Sequence, residues 1–353
     1  MGQIKGVFSA LGQLFSVKEA MSKSASRKFL LSFQVPVLLL LRWQVRRRLT
    51  RQTRKALSQL TVVAFPNALN GSSRHSHHGY AIEKIFHALA IVPRQFDPWM
   101  SVRNTLFINW QDMTRDRVDS AAYMHAAYSY TGQAEEFHLR RVINADARDI
   151  SKKTVGKNFN LSFGYPLDVD PTTYSGSMVV KSDLNATHDG KVVEAPVAWE
   201  EDQENLVFNV HVDNGDGHGN VVDFRVPFIR RPLDFAYRKV RPVQSRFSNI
   251  NSSVTLEKTA DHFSQLEIDG ISAFCQMMGL DYGELDCLRD AVSGKIFIVD
   301  VAKTPAGPPN GLSFRLKVEA IKRMSVAFAE EFIADSANSR SATNDGPEVV
   351  SAQ

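Results

Sequence analysis

Two carboxylates stand where a chain seldom leaves them. Asp286 lies in Leu285-Asp-Cys-Leu-Arg289 and Asp300 in Phe297-Ile-Val-Asp-Val-Ala302, each inside an otherwise apolar, strand-like run. An unpaired charge there is costly, so a strand that keeps one usually supplies it with a partner or a metal. Asp290-Ala-Val-Ser-Gly294 between the runs reads as a turn, and the hairpin it predicts puts both acids on one face. Such a pair suits Mg²⁺, a hard cation that takes oxygen ligands and often arrives with phosphates. The plainer alternative is a strand acid salt-bridged to a neighbour such as Arg289, and spacing alone does not separate the two. Lysines supply the second element. Lys181 ends the β-branched run Met178-Val-Val-Lys181, where it can act as a point charge on phosphate. Lys152 and Lys153 sit in Asp149-Ile-Ser-Lys-Lys-Thr154 near the start of another element. A solvated surface lysine is the simple alternative for each.

The elements that must position these groups show in the periodicity. Thr61–Phe65 and Thr105–Trp110 are β-branched or apolar runs, with Ile82, Ile85, Phe86 and Leu89 at helical spacing between them. Strand, loop, helix and strand in that order open an α/β domain. Residues 117–143 read as helical, including Glu135 to Val142. From Asn144 to Ala195 the chain reads as loop-rich, with Met178–Lys181 as its one strong strand. Leu206–Val212 and Val221–Phe228 follow as strands around the glycine-rich turn Asp213–Gly219, and Phe235–Pro242 and Ser253–Glu257 are weaker ones. Ser264-Gln-Leu-Glu267 is a capping box that opens a helix ending at Gly279.

At this point the sequence is recognisable. Asn144-Ala-Asp-Ala-Arg-Asp-Ile-Ser-Lys152, Phe163-Gly-Tyr-Pro166 and Met178-Val-Val-Lys181 resemble the first half of ATP-grasp proteins, the superfamily that contains D-alanine–D-alanine ligase. Gly279-Leu-Asp-Tyr-Gly-Glu-Leu-Asp286, followed by Ile298-Val-Asp-Val-Ala-Lys-Thr-Pro305, resembles its closing hairpin. The resemblance implies that Lys152 and Lys181 contact nucleotide phosphates and that a strand like Leu206–His211 borders adenine, with Phe208, Asn209 and His211 as candidates there. It further implies that Lys239 joins the nucleotide site, that Asp286 and Asp300 bind Mg²⁺, and that Arg225 and Arg289 neutralise charge during catalysis. Arg225, Lys239, Arg241 and Arg246 come from successive elements and could face an anionic substrate, with solvated strand-edge charge as the plain alternative. The reaction would be ATP-dependent ligation of a small-molecule carboxylate through an acyl phosphate, with ATP and Mg²⁺ as cofactors. The chain departs from the pattern in three places. Ala302 replaces a metal-binding Asn, so Lys303 or water would have to compensate. Gly190 is the one glycine in the loop after Lys181, and the adenine segment lacks a clear acid. A non-catalytic nucleotide-binding version and a sugar-nucleotide transferase are the rival readings.

The predicted class is therefore α/β (α+β): a basic helical segment over 1–59, an open α/β domain over 60–143, an ATP-grasp-like domain over 144–335 and a disordered tail over 336–353. Residues 1–58 hold twelve Lys/Arg against one acid, Glu19, which is +11 of a net +4 and leaves −7 elsewhere. Their apolar stretch, Phe29–Leu41, is shorter than the ~18 residues of a membrane span. Met1-Gly2 opens like an acylation site, but Gly6 stands where Ser or Thr is required. A docked or solvated hairpin, a helix on an anionic membrane and nucleic acid binding are the three readings of this segment. The last lacks any motif or interleaved aromatics, so no nucleic acid partner is expected. His75, His77 and His78 have no ligand spacing and predict no metal. Cys275 and Cys287 predict two reduced core thiols in a cytoplasmic protein, with the inner membrane face and a homodimer left open.

Overall fold

A computed structural model describes residues 25–66, 80–185, 187–198, 203–248 and 250–334. The histidine cluster, Met1-Gly2 and the tail lie outside the described residues. The chain divides into two compact units, one of Met1–Asn109, Ser120–Val142 and Ile321–Gln353, the other of Trp110–Asp119 and Ile143–Ala320.

The first unit carries the basic segment as two helices, α1 (Ala25–Arg48) and α2 (Arg51–Gln59). Thr50 separates them, its side chain capping α2 at the Thr53 N–H (3.0 Å). Leu38, Leu41 and Val45 form a buried stripe on α1, which packs on α3 (Ala81–Leu89). Strands β1 (Thr61–Pro66), β2 (Thr105–Trp110) and β3 (Val142–Ile143) form a sheet in the order β1-β2-β3. Helix α4 (Ser120–Tyr130) is shorter than the helical reading of 117–143. Gly132, at φ +74°, ends it, and single 3₁₀ turns at Ala134–Glu136 and Leu139–Arg141 replace the helix expected over Glu135–Val142. The tertiary reason is Phe137, buried against Phe107 and Tyr128, a placement a continuing helix would not give.

The second unit holds two sheets. Strands β4 (Gly176–Ser182), β5 (Lys191–Ala195) and β6 (Leu206–Val210) form one, in the order β5-β4-β6. The other contains β7 (Asn220–Ile229), β8 (Phe235–Pro242), β9 (Ser253–Lys258), β10 (Tyr282–Arg289) and β11 (Ile296–Ala302), in the order β11-β10-β7-β8-β9. Helices α5 (Lys152–Phe163) and α6 (Gln265–Met277) pack together, and α7 (Phe314–Phe328), which follows the hairpin, belongs to this unit as far as Ala320. The core is aromatic and aliphatic, with Phe159, Phe274, Leu285 and Ile298 buried in one cluster. Both thiols are free and buried.

Two elements correct the loop-rich reading of 144–195. Helix α5 escapes a propensity reading because Gly156, Asn158 and Asn160 are weak helix formers; it forms because Ser151 caps it and Val155 and Phe159 are buried. Strand β5 is a short edge strand, half-exposed, that exists through its pairing with β4, from Gly176↔Ala195 to Val180↔Lys191. The capping box is present as read, with Ser264 and Glu267 bonded reciprocally, and Gly279 follows α6 at φ +63°. A Cβ there would meet the Asp146 backbone at 2.6 Å, so the position has room for glycine alone.

Candidate functional site

The lysines owe their places to a residue the sequence reading passed over. Asp183, in the loop after β4, is buried; one oxygen accepts from the Lys153 N–H (2.9 Å) and the other from Arg115. Its carbonyl accepts from the Lys152 N–H (3.2 Å), so the first turn of α5 is tied to the loop that follows Lys181. An acid two residues after a strand-end lysine was the available signal. Lys152 Nζ then donates to the Leu184 carbonyl, and Lys181 Nζ donates to the Val299 carbonyl at 3.2 Å. Neither lysine forms an ion pair with a carboxylate among the described residues. Burial lowers the Lys181 pKa to about 8, with Asp300 working against that and the Lys152 charge adding to it.

Asp286 and Asp300 are direct partners across the β10–β11 hairpin, beside a register irregularity at Asp286/Cys287. The predicted hairpin and shared face are therefore present, but the two acids live differently. Arg225 faces Asp286 across β7–β10 and grips it with two hydrogen bonds, Nε at 2.9 Å and Nη2 at 2.8 Å. Lys239 Nζ adds a third at 2.9 Å. Burial on its own would raise the Asp286 pKa; Arg225 and then Lys239 outweigh it and hold the carboxyl far below its usual range. The salt-bridge alternative thus describes Asp286, with Arg225 and Lys239 rather than Arg289 as partners. Asp300 accepts a hydrogen bond from the Val301 N–H (3.1 Å) and has no ion pair among the described residues. Burial and then the Asp286 charge push its pKa up, against Lys152 and Lys181.

A second charged group continues along β7 and β8. Asp223 pairs in register with Lys239 and accepts from Arg241 Nη2 at 2.5 Å. Arg246 donates to His211 Nε2 and, at 3.0 Å, to Asn214 Oδ1. The histidine pKa is lowered by burial and by the Arg246 charge, in keeping with a neutral, accepting ring. Asn209 donates to Asp168 Oδ1 at 2.7 Å, and burial raises the Asp168 pKa to about 6 against the pull of Lys181 and of Asn209.

Most of these side chains line one cavity of about 410 Å³ within the second unit. Lys152, Lys181, Asn209, His211, Arg225, Lys239, Asp286 and Asp300 line it, so eight of the sequence-derived candidates converge. Two do not. Phe208 is buried with Met178 and Val180 as backing for the Lys181 strand. Arg289 is turned to α6, with Nη1 and Nη2 on the Glu267 carboxylate at 2.8 and 3.0 Å. Lys303, a proposed substitute for the missing Asn, is buried and paired with Asp116 instead. Arg241 and Arg246, which the sequence offers with Arg225 and Lys239 as cations able to face an anionic substrate, also line the cavity; Asp189 lines it too and carried no signal in its own turn.

Mg²⁺ can be tested against these donors. Both Asp286 oxygens are engaged by cations, Ala302 has no donor, and among the described residues no group of three or more His, Cys, Asp or Glu could hold a metal ion. Of the hairpin pair, Asp300 is the carboxylate left for it. One carboxylate completed by phosphate and water is an ordinary Mg²⁺ arrangement, so the residues fit an ion that arrives with a nucleotide, not a resident one.

Gly156 sets the back of the site. An added Cβ would lie 2.1–2.5 Å from the Asp168 carboxylate, so α5 passes against that acid because it lacks a side chain there. Gly156→Ala is expected to drive Asp168 off Asn209 and cost about 1–3 kcal/mol, more than the ~1 kcal/mol an alanine gains in a helix. Urea unfolding measures it; an unchanged or raised midpoint would show that the carboxylate gives way freely.

No protein-family model matches this chain, and no curated protein matches it. Solved structures do. The ATP-grasp ligase PsnB complexed with a phosphomimetic variant of minimal precursor, Mg and ADP aligns at a TM-score of 0.42 and 13% identity, over 79% of this chain and 97% of that one. D-alanine–D-alanine ligase from Bacillus anthracis aligns at 0.41 and 10%, over 81% and 99%. The macrocyclase MdnC from Microcystis aeruginosa MRC, bound with precursor peptide MdnA, aligns at 0.41 and 12%, over 78% and 99%. The chain is similar in structure to ATP-grasp ligases. What the cavity does is read from its own groups.

Proposed function

We propose that the second unit binds ATP in this cavity and uses it to activate a carboxylate for ligation. The observation that carries the reading is the pair Lys152 and Lys181, which line the cavity with carbonyls as their side-chain partners and stand near a carboxylate, Asp300, that has no ion pair among the described residues. Cations without a committed acid are what a polyphosphate needs, and in a half-buried site they act more strongly than in water. Asn209 and His211 border the nucleoside, and Asp300 would hold the Mg²⁺, which supplies neutralising charge to the phosphates. Arg246 also has no carboxylate partner among the described residues, and it anchors the anionic substrate.

The reaction class comes from the sequence resemblance of residues 144–305. A substrate carboxylate oxygen attacks the γ-phosphorus, the bond to the β–γ bridging oxygen breaks, and ADP leaves with the electron pair. An amine nitrogen then attacks the acyl carbon, inorganic phosphate departs, and the amine proton passes to solvent. Lys152 and Lys181 hold the charge that moves between these oxygens, which is where most of the rate in phosphoryl transfer originates.

A second reading has an observation in its favour. With Asp286 held by Arg225 and Lys239 and with Ala302 in the Asn position, the unit would bind nucleotide without turning it over. Thermal-shift titration with ATP, with and without Mg²⁺, and an assay of phosphate release separate the readings. The ligase reading expects a Mg²⁺-enhanced shift that Asp300→Asn loses, and slow ATP hydrolysis without acceptor. A shift indifferent to Mg²⁺ and to Asp300→Asn, with no phosphate released, would establish the non-catalytic reading. No shift at saturating ATP would sink both.

A further inference from the structure

On the first unit, α1 turns Leu38, Leu41 and Val45 inward, and its opposite face carries exposed apolar side chains. Leu39, Leu40 and Trp43 are 57%, 52% and 54% exposed. Three large apolar side chains at positions i, i+1 and i+4 form one contiguous patch on a helix. Charge follows the patch along the chain: Arg46, Arg47 and Arg51, Arg54, Lys55 of α1 and α2 are all exposed, and the Arg47 guanidinium lies over the Trp43 ring at 4.7 Å. No Asp or Glu occurs between Glu19 and Glu83, so nothing acidic in this stretch answers those cations.

We infer that the outward face of α1 and α2 docks on an anionic lipid surface, with Leu39, Leu40 and Trp43 in the headgroup–acyl boundary and the arginines on lipid phosphates. A helix with a buried inner stripe, an apolar outer patch and flanking arginines lies in the interface plane, and tryptophan prefers that depth. No described helix is long and apolar enough to cross a membrane, so the contact is peripheral. Charge complementarity favours lipid over the other occupants. A second copy docked symmetrically through this face would bring the arginines no acid, since the face carries none. A nucleic acid would meet the arginines and leave the Leu39–Leu40 patch unused.

The test is flotation of the full chain with phosphatidylcholine vesicles and with vesicles containing phosphatidylglycerol. Binding to the anionic vesicles is expected to be about tenfold tighter or more, since each basic residue near such a surface adds favourably, and to fall as salt is raised. Brominated lipid should quench Trp43, and Trp43→Phe should lose that quenching. Arg46→Glu/Arg47→Glu should abolish binding and Leu39→Ser/Leu40→Ser should weaken it, both with unchanged thermal unfolding because these side chains are exposed. Equal partition to neutral and anionic vesicles, indifference to the leucine variant, displacement of vesicles by duplex DNA, or a dimer broken by the arginine variant would each overturn the inference.

Discussion

Lys181→Met is expected to weaken ATP binding about ten- to a hundredfold, the worth of a charge-assisted hydrogen bond lost from a buried site. At an ATP concentration that stabilises the wild type by about 2.7 kcal/mol, a hundred times its dissociation constant, most of the thermal shift would vanish. Fluorescence titration or calorimetry gives the constant directly. The variant itself should be no less stable than the wild type, because a desolvated ammonium is replaced by an apolar chain of similar length. The pH profile tests the same side chain in a second way. With a pKa of about 8, Lys181 is charged below that pH and neutral above it in the free protein. ATP affinity should therefore be flat below about pH 7 and fall as pH rises through 8, approaching tenfold per unit. Lys181→Arg stays charged throughout and should flatten the fall. A wild-type profile that the arginine variant reproduces would remove Lys181 from the phosphate site.

The second large effect is on stability. Arg225→Met removes the two-pronged partner of Asp286 and leaves Lys239 alone with it. Breaking such a pair costs about 3–5 kcal/mol, since a buried carboxylate loses its counter-charge. The double variant Arg225→Met/Asp286→Leu should be more stable than the single one, because the stranded charge is gone. The pH dependence has a definite sign. In the wild type the folded pKa of Asp286 is depressed, so its stabilisation is present above the unfolded value of about 3.9 and is lost as pH falls below it toward the folded value. Without Arg225, burial takes over and the folded pKa rises. The gap between wild type and variant should then be widest near neutrality and narrow as pH falls through the variant's raised folded value into the acid range. Urea unfolding across that range measures it. A double variant as unstable as the sum of its singles, or a gap independent of pH, would show that Arg225 acts through packing.

Much of the site was legible because the physics involved is local. A charge inside an apolar strand is conspicuous, and period-two alternation with a turn between fixes a hairpin, so Asp286 and Asp300 were placed opposite one another from the sequence alone. The capping box and Gly279 were equally local: each satisfies or ends its own helix, whatever surrounds it. Lys181 at a strand end belongs with these. Even the basic stretch of α1 and α2 is a property of consecutive residues.

What only the tertiary structure decided concerns partners and weak elements. Whether Asp286 meets a metal or a cation depends on Arg225 and Lys239, 61 and 47 positions away, brought into register by strand order rather than by spacing. Arg289 sits in the same strand as Asp286 yet faces Glu267, because neighbouring stretches of one strand can be claimed by different layers. Helix α5 and strand β5 have poor intrinsic propensity; burial of Val155 and Phe159, and pairing with β4, make them. The sequence determined which residues had to be accounted for, since an isolated charge among apolar neighbours must be compensated in any fold. It did not determine by what, because compensation is a long-range electrostatic contact, and only the packed sheets fix which charges share a face.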